Sequence, residues 1–447
     1  MSIVSLRGQA ITATGKLTAC PTNEKVKETM HPTAKLPTLH LAPLLHGNLQ
    51  YAEFPPDAVP DIVERSYLPT LAYFAAHPEL HGVFEYSGVS LELMAARWPR
   101  TIDLLRLLLG RGQIELLGST FANPILPLIP TDHARRHIAR FGDIYDDLFG
   151  DLDVPPPSGI FLQEFAYDPG LAPLLRDFGY TYTILTPRLL LSGLQPRLNV
   201  VLKPLSQRRP SLAHDAHSLL HPVNLLGARD ARIAAFPLYR EVIGLMFDYV
   251  YGRKPFSEIA DLLRDTAAAA GPTPALLFLG PSDAEFIGVY DRLGREALSV
   301  EGFADFLAQL RQLPFVRFDL PSRYLDAYPP TGTTYVPAGS SERSLDLWTR
   351  DPDNLRLNTL CAEAAEKLRL AGTLRPENQA LLQQAWRAML LAENSDGRGW
   401  MPCPERRLEC YNHALQAIEL AEAILNTPAL HHNGTVPELL RLVTNET

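Results

Sequence analysis

The chain has 447 residues, 46% of them hydrophobic, with 50 acidic against 41 basic residues and a formal net charge of −9. That length supports one large domain, or a large and a smaller one, each able to bury a core. The acidic balance, with no Lys/Arg block, excludes polyanion binding, and no run reaches the ~18–20 apolar residues of a bilayer-spanning helix; neither nucleic acid nor membrane is an expected partner.

Residues 1–36 are rich in Ser and Thr, carry no acid before Glu24 and lack the apolar stretch of a secretory signal. They are expected to form a flexible N-terminal arm, with a cleaved transit peptide as the alternative. Seven short apolar runs rich in β-branched and aromatic residues follow. They are LHLAPLLHG (39–47), GVFEYSG (82–88), QIELLGS (113–119), GIFLQE (159–164), TYTILT (181–186), RIAAFPLY (232–239) and PALLFLG (274–280).

Between the runs lie helical patterns, such as DIVERSYLPTLAYFAAH and TDHARRHIARFGDIYDDLF, bounded by Pro, Gly, Asp or Thr. Strands alternating with helices imply a parallel sheet, and strands without polar alternation are buried on both faces. The fold class is therefore α/β, and seven repeats favour a (β/α)7 barrel over residues 37–330. From 331 to 447, after a Pro/Gly/Thr-rich passage, strands give way to apolar residues at three- and four-residue spacing, the mark of a helical subdomain packed on the barrel.

In such barrels the active site collects at the C-terminal ends of the strands. Those ends offer His46 and Asn48, then Glu85, Ser119 and Glu164, then Tyr239, Arg240 and Glu241, and finally Asp283 and Glu285. One acid there is usually a helix cap or a loop salt-bridge partner. Several on one mouth repel one another and raise some pKa values, and a proton-holding carboxyl beside an ionised one is what glycosidic cleavage requires.

LLHGNLQY, GQIELLGS with NPILPLIP, FLQEFAYDPGL, SDAEFIG and AENSDGRGW (392–400) occur in one order along the chain. In that order they resemble the motif series of glycoside hydrolase family 57. The resemblance implies an incomplete seven-stranded barrel with a helical subdomain, and a retaining glycosidase or transglycosylase acting on an α-linked glucan or related oligosaccharide. It makes Glu164 the nucleophile. The family's acid/base Asp lies in an L-S-D-x-I-G-F element, matched here by LYREVIGL, which puts Glu241 at the Asp and Arg240 at the Ser. Asp283 is the reserve acid.

A retaining pair predicts Glu164 and Glu241 carboxyls about 5–5.5 Å apart. The expected substrate contacts are His46, Asn48, Glu85, Ser119, Tyr239, Arg240, Glu285, Glu393, Asp396 and Trp400; no cofactor or metal is expected. The chain departs from the family at Asn48, where a second His is usual, and at Phe161 and Gly397, where Trp is usual.

Two other readings stay open. A carbohydrate-binding protein on the same barrel would have lost its proton donor, and a metal-dependent polysaccharide deacetylase would use His46 as a ligand, for which no second strand-end His is found. HARRH places His133 and His137 four apart, a zinc-compatible spacing, but without the Glu of HExxH the pair reads as a solvated helix face. Cys20, Cys361, Cys403 and Cys410 show neither CxxC pairs nor a disulfide framework; Cys403 and Cys410 are expected to be inert thiols, with a local bridge under oxidising conditions as the alternative. A reducing cytoplasm is the expected location.

Overall fold

The computed structural model describes residues 37–194, 219–341 and 344–427, so the expectation of an arm over 1–36 lies outside the described residues. Among the described residues there are ten strands: β1 (Leu39–Gly47), β2 (Gly82–Tyr86), β3 (Ile114–Leu116), β4 (Gly159–Ile160), β5 (Tyr182–Leu185), β6 (Val223–Leu226), β7 (Arg232–Pro237), β8 (Ala275–Asp283), β9 (Val316–Phe318) and β10 (Thr333–Thr334). All seven apolar runs became strands, namely β1 to β5, β7 and β8.

Two parallel ladders, β8-β1-β2-β3 and β4-β5-β7, meet at the parallel bridge between Gly118 and Ile160. Together they form one seven-stranded arc. Among the described residues no ladder joins β7 to β8, so the barrel is incomplete. β6, β9 and β10 lie outside the seven apolar runs. β6 pairs antiparallel with β7, β10 runs beside β6, and β9 takes the first part of the β1 edge that β2 takes further on. Every residue of β1 and β2 is buried, which explains why these strands show no polar alternation.

Pro43 sits in the central strand β1, where it cannot donate a ladder hydrogen bond. The register slips there: Pro43 pairs with Leu279, but Leu45 pairs with Ser282, leaving an extra residue in β8. Such bulges bend a strand and re-aim its side chains. Here the bulge sets Asp283 beside His46.

Three long helices, Pro352–Leu374, Gln379–Ala392 and Pro404–Asn426, form the helical subdomain. Asp351 caps the first by accepting from the backbone N–H groups of Asp353 and Asn354. Their shared core is rich in alanine, including Ala364, Ala365, Ala385, Ala414 and Ala417, so the helices approach closely. The last helix grips the loop after β1. The buried Arg406 donates to the carbonyls of Leu49 and Phe54, and the Cys403 N–H donates to Ala52.

Cys361, Cys403 and Cys410 are free thiols, so the local bridge is not formed. Among the described residues no helix is long and apolar enough to cross a membrane.

Candidate active site

Strand register assembles the first part of the site. His46 ends β1 opposite Glu85 of β2 on one side and Asp283 of β8 on the other. Its Nδ1 hydrogen-bonds the Glu85 carboxylate, and its ring stacks on Phe161 with centroids 4.6 Å apart. Burial works against charge on His46, but Glu85 prevails and raises its pKa to about 10, so the ring is a cation at neutral pH.

Glu164 follows β4 in a left-handed conformation, φ 57° and ψ 21°, and Phe165 continues it at φ 51°. Non-glycine residues avoid this region, and strain of this kind persists only where neighbours enforce it. The strap that follows β10 supplies the restraint. Ser341 N–H donates to the Glu164 carbonyl at 2.9 Å, and Tyr167 and Gly339 exchange backbone hydrogen bonds. From the helical subdomain Trp400, also left-handed at φ 58°, donates its indole N–H to Glu164 Oε1 at 2.6 Å. Ser282, directly before Asp283, is left-handed too, at φ 68°.

These strained positions surround one open cavity of about 470 Å³, within the ~300–1,000 Å³ usual for ligand sites. Of the residues expected from sequence, His46, Asn48, Glu164, Arg240, Asp283, Asp396 and Trp400 line it. Glu85 and Glu285 lie behind the wall. Glu85 holds His46, while Glu285 accepts from the Asn48 N–H at 2.8 Å and from the Tyr67 hydroxyl. Ser119 and Tyr239 are buried away from the lining.

Glu241 requires a correction. It is exposed in the first turn of the helix Arg240–Val250 and does not line the cavity. An acid at that position is favoured by the positive end of the helix dipole. Asp283, the reserve acid, is on the wall. Sequence reasoning missed Tyr51 and Tyr290. The Tyr51 hydroxyl donates to Asp283 Oδ2 at 3.1 Å and lies 2.5 Å from that of Tyr290. Tyr51 lies in the strand-end loop after His46, the only sequence signal it carried.

Burial raises the pKa of Glu164 to about 7, helped by Asp283 and Asp396 and opposed by the Trp400 hydrogen bond and His46. Burial also lifts Asp283, with His46 and the Tyr51 hydroxyl pulling the other way. Asp396 is pushed up to about 6, chiefly by burial, although Asn48 Nδ2 donates to it at 2.7 Å and the Ala52 N–H at 3.0 Å. The cavity therefore concentrates carboxyls whose pKa values burial raises, a condition that favours acid/base work.

The model of glycosyl hydrolase family 57 matches residues 21–337. The chain belongs to that family. As a family 57 chain it is 30% identical over 121 residues to alpha-amylase 1 of Dictyoglomus thermophilum, covering 27% of this chain and 17% of that protein. It is 32% identical over 120 residues to 4-alpha-glucanotransferase of Thermococcus litoralis, covering 27% and 18%. The matched stretch thus spans less than a fifth of these relatives.

Among solved structures, the T. litoralis 4-alpha-glucanotransferase superposes with a TM-score of 0.63 at 18% identity, covering 86% of this chain and 60% of that one. A family 57 branching enzyme from Thermococcus kodakaraensis gives a TM-score of 0.61 at 16% identity, covering 86% and 88%. These likenesses establish the fold.

One further residue of this family 57 chain has a role other than the expected substrate contact. Glu393 is buried and accepts from His133 Nδ1 at 2.7 Å and from His137 Nε2 at 3.1 Å. The HARRH motif is therefore not a solvated face: both histidines are buried and join the barrel helix Thr131–Phe149 to the helical subdomain. No group of three or more His, Cys, Asp or Glu among the described residues could hold a metal ion.

Burial alone would raise the Glu393 pKa, but the two histidine hydrogen bonds hold it down to about 2. A depressed carboxylate contributes stability above its unfolded pKa of ~4.3, and that stability is lost as pH falls towards 2. Glu393→Gln should therefore destabilise by about 1–3 kcal/mol at pH 7, read by thermal unfolding, with the deficit shrinking below pH 4.

Proposed function

We propose that this family 57 chain is a retaining hydrolase or transglycosylase of α-linked glucans, with Glu164 as nucleophile and Asp283 as general acid/base. The observation that carries this reading is the placement of both carboxyls on one open cavity, each on or next to a strained backbone position, with Glu241 outside it. The relatives support the substrate class, since their names record amylase and glucanotransferase activity on α-glucans.

The two carboxyls differ in their surroundings. Glu164 accepts from the Trp400 indole and lies in the field of the His46 cation, both of which favour its anion. Burial lifts the Asp283 pKa and Glu53 adds to it, against His46, the Tyr51 hydroxyl and Arg240, and Asp283 is assigned the proton because Glu164 is the group that must be free to attack. Coupled acids of this kind titrate as a pair, and the active form carries one proton.

Glu164 attacks the anomeric carbon as Asp283 protonates the departing glycosidic oxygen, forming a glycosyl ester and releasing the aglycone. Asp283, now ionised, takes a proton from water or from a sugar hydroxyl, which resolves the ester. The open cavity argues against the binding-only reading, which a plugged mouth would have favoured.

Product analysis on maltooligosaccharides tests this reading. Shortened or redistributed glucans with retained anomeric configuration are expected; inert substrates or inverted products would refute it. Trp400→Phe adds a finer test. It keeps the ring but deletes the donor to Glu164, so the acidic limb of the kcat/KM–pH profile should move to higher pH, with about a 10-fold loss at pH 6. A parallel drop at all pH values would mean that Trp400 acts only by packing.

A further inference from the structure

Asp283 is thinly held for a group that must hand on a proton at one defined position. It ends β8 just past the bulge, directly after the left-handed Ser282. Among the described residues the Tyr51 hydroxyl is the one hydrogen-bond donor to its carboxyl, at 3.1 Å on Oδ2. Tyr51 has a single hydroxyl hydrogen to give. With that hydrogen on Asp283, the Tyr51 oxygen must accept from the Tyr290 hydroxyl 2.5 Å away. The result is a one-way chain of donors, from Tyr290 to Tyr51 to Asp283.

The rings that carry these hydroxyls are packed in place. Phe54, fully buried, lies against both, with ring centroids 5.6 Å from Tyr51 and 5.8 Å from Tyr290, and Phe286 stacks on Tyr290 at 4.1 Å. The Phe54 carbonyl accepts from the buried Arg406 of the last helix. The helical subdomain thus fixes the loop after β1, and that loop aims Tyr51 at Asp283. Burial, with Asp283 next, pushes both phenols well above the usual tyrosine range. They therefore remain donors wherever Asp283 titrates, and neither is acidic enough to replace it.

A carboxylic acid carries its proton on one oxygen and accepts on the other. Tyr51 occupies Oδ2, which leaves Oδ1 for the proton. We propose that Tyr51, backed by Tyr290, is a positioning residue for proton transfer: it fixes the Asp283 carboxyl and assigns its proton to Oδ1, from which the proton passes to the departing glycosidic oxygen. Neither phenol gives up its own hydrogen. Once Asp283 is ionised, the same hydrogen bond holds its anion for the base step. This role rests on Asp283 as the general acid/base.

The charges around Asp283 set the direction of its pH response. Beyond burial, which lifts its pKa, the groups facing it include His46 and Arg240, which favour the anion, and Glu53, which opposes it. Glu164 and Glu285 face it too, and Asp283 raises the pKa of both. Tyr51→Phe leaves all of these in place and deletes only the hydroxyl, which also favours the anion. The Asp283 pKa should therefore rise. The basic limb of the kcat/KM–pH profile, where the acid loses its proton, should move to higher pH by about one pH unit.

Steady-state kinetics on maltooligosaccharides provide the test. Tyr51→Phe should lower kcat about 10-fold and change KM by less than about 2-fold, with the basic limb displaced and the acidic limb in place. Tyr290→Phe, which removes only the donor to Tyr51, should displace the same limb by less, and it carries the test if Tyr51→Phe fails to fold. Added to Asp283→Asn, Tyr51→Phe should cost less than about 2-fold, because the group it positions is gone. A raised KM with an unmoved basic limb, or an undiminished cost in the Asp283→Asn background, would make Tyr51 a sugar-binding residue and overturn the proposal. Full activity of Asp283→Asn would instead refute the acid/base reading, and the role of Tyr51 with it.

Discussion

Glu164→Gln should lower kcat/KM on maltooligosaccharides by at least about 10³-fold, because the amide cannot form the glycosyl ester. Its effect on stability should have the opposite sign. The folded pKa of Glu164 is raised to about 7, against ~4.3 unfolded, so between those values the native state holds more protons than the unfolded chain. Wild-type stability therefore falls as pH rises through that window. Gln removes the cost of burying a charge while keeping an acceptor for Trp400, so the variant should melt no lower than wild type at pH 8. Loss of activity with equal or higher Tm separates a chemical role from a structural one.

Asp283→Asn should cost about 10²–10⁴-fold on glucans, where the departing sugar oxygen needs a proton, and much less on 4-nitrophenyl glycosides, whose leaving group does not. Azide should restore turnover of the aryl substrate by replacing the base-assisted water, giving a glycosyl azide of retained configuration. Glu241→Gln, on the exposed first turn of its helix, should change kcat/KM by less than about 3-fold. If Glu241→Gln proved the more damaging, and the aryl substrate rescued that variant instead, the acid/base assignment would revert to the helix.

The strands were legible because nearly continuous apolar runs of strand length have few other uses, and strand ends in a parallel barrel point to the site. Glu164 and His46, both of which line the cavity, were singled out that way. Asp283 was seen but ranked second, since what puts it on the wall is a one-residue slip between β1 and β8 with a left-handed Ser282, and nothing local announces it. Glu241 misled because a motif match fixes position along the chain and says nothing about which side of a helix start faces the cavity.

His133 and His137 misled for a related reason. A polar helix pattern with two histidines resembles a wet face until a buried partner appears, and theirs, Glu393, lies more than 250 positions away. Trp400 and Ser341 reach Glu164 over comparable gaps. Contacts of that kind form only once the fold has closed, and a single sequence carries little trace of them.

The central claim is that Glu164 becomes covalently glycosylated. Incubation with 5-fluoro-α-glucosyl fluoride, which slows breakdown of the ester, followed by proteolysis and mass spectrometry, addresses it most directly. The account predicts a single fluoroglucosyl adduct on the peptide carrying Glu164, absent from Glu164→Gln. An adduct on Asp283 or Glu241, or turnover of the reagent with inversion and no adduct, would contradict it.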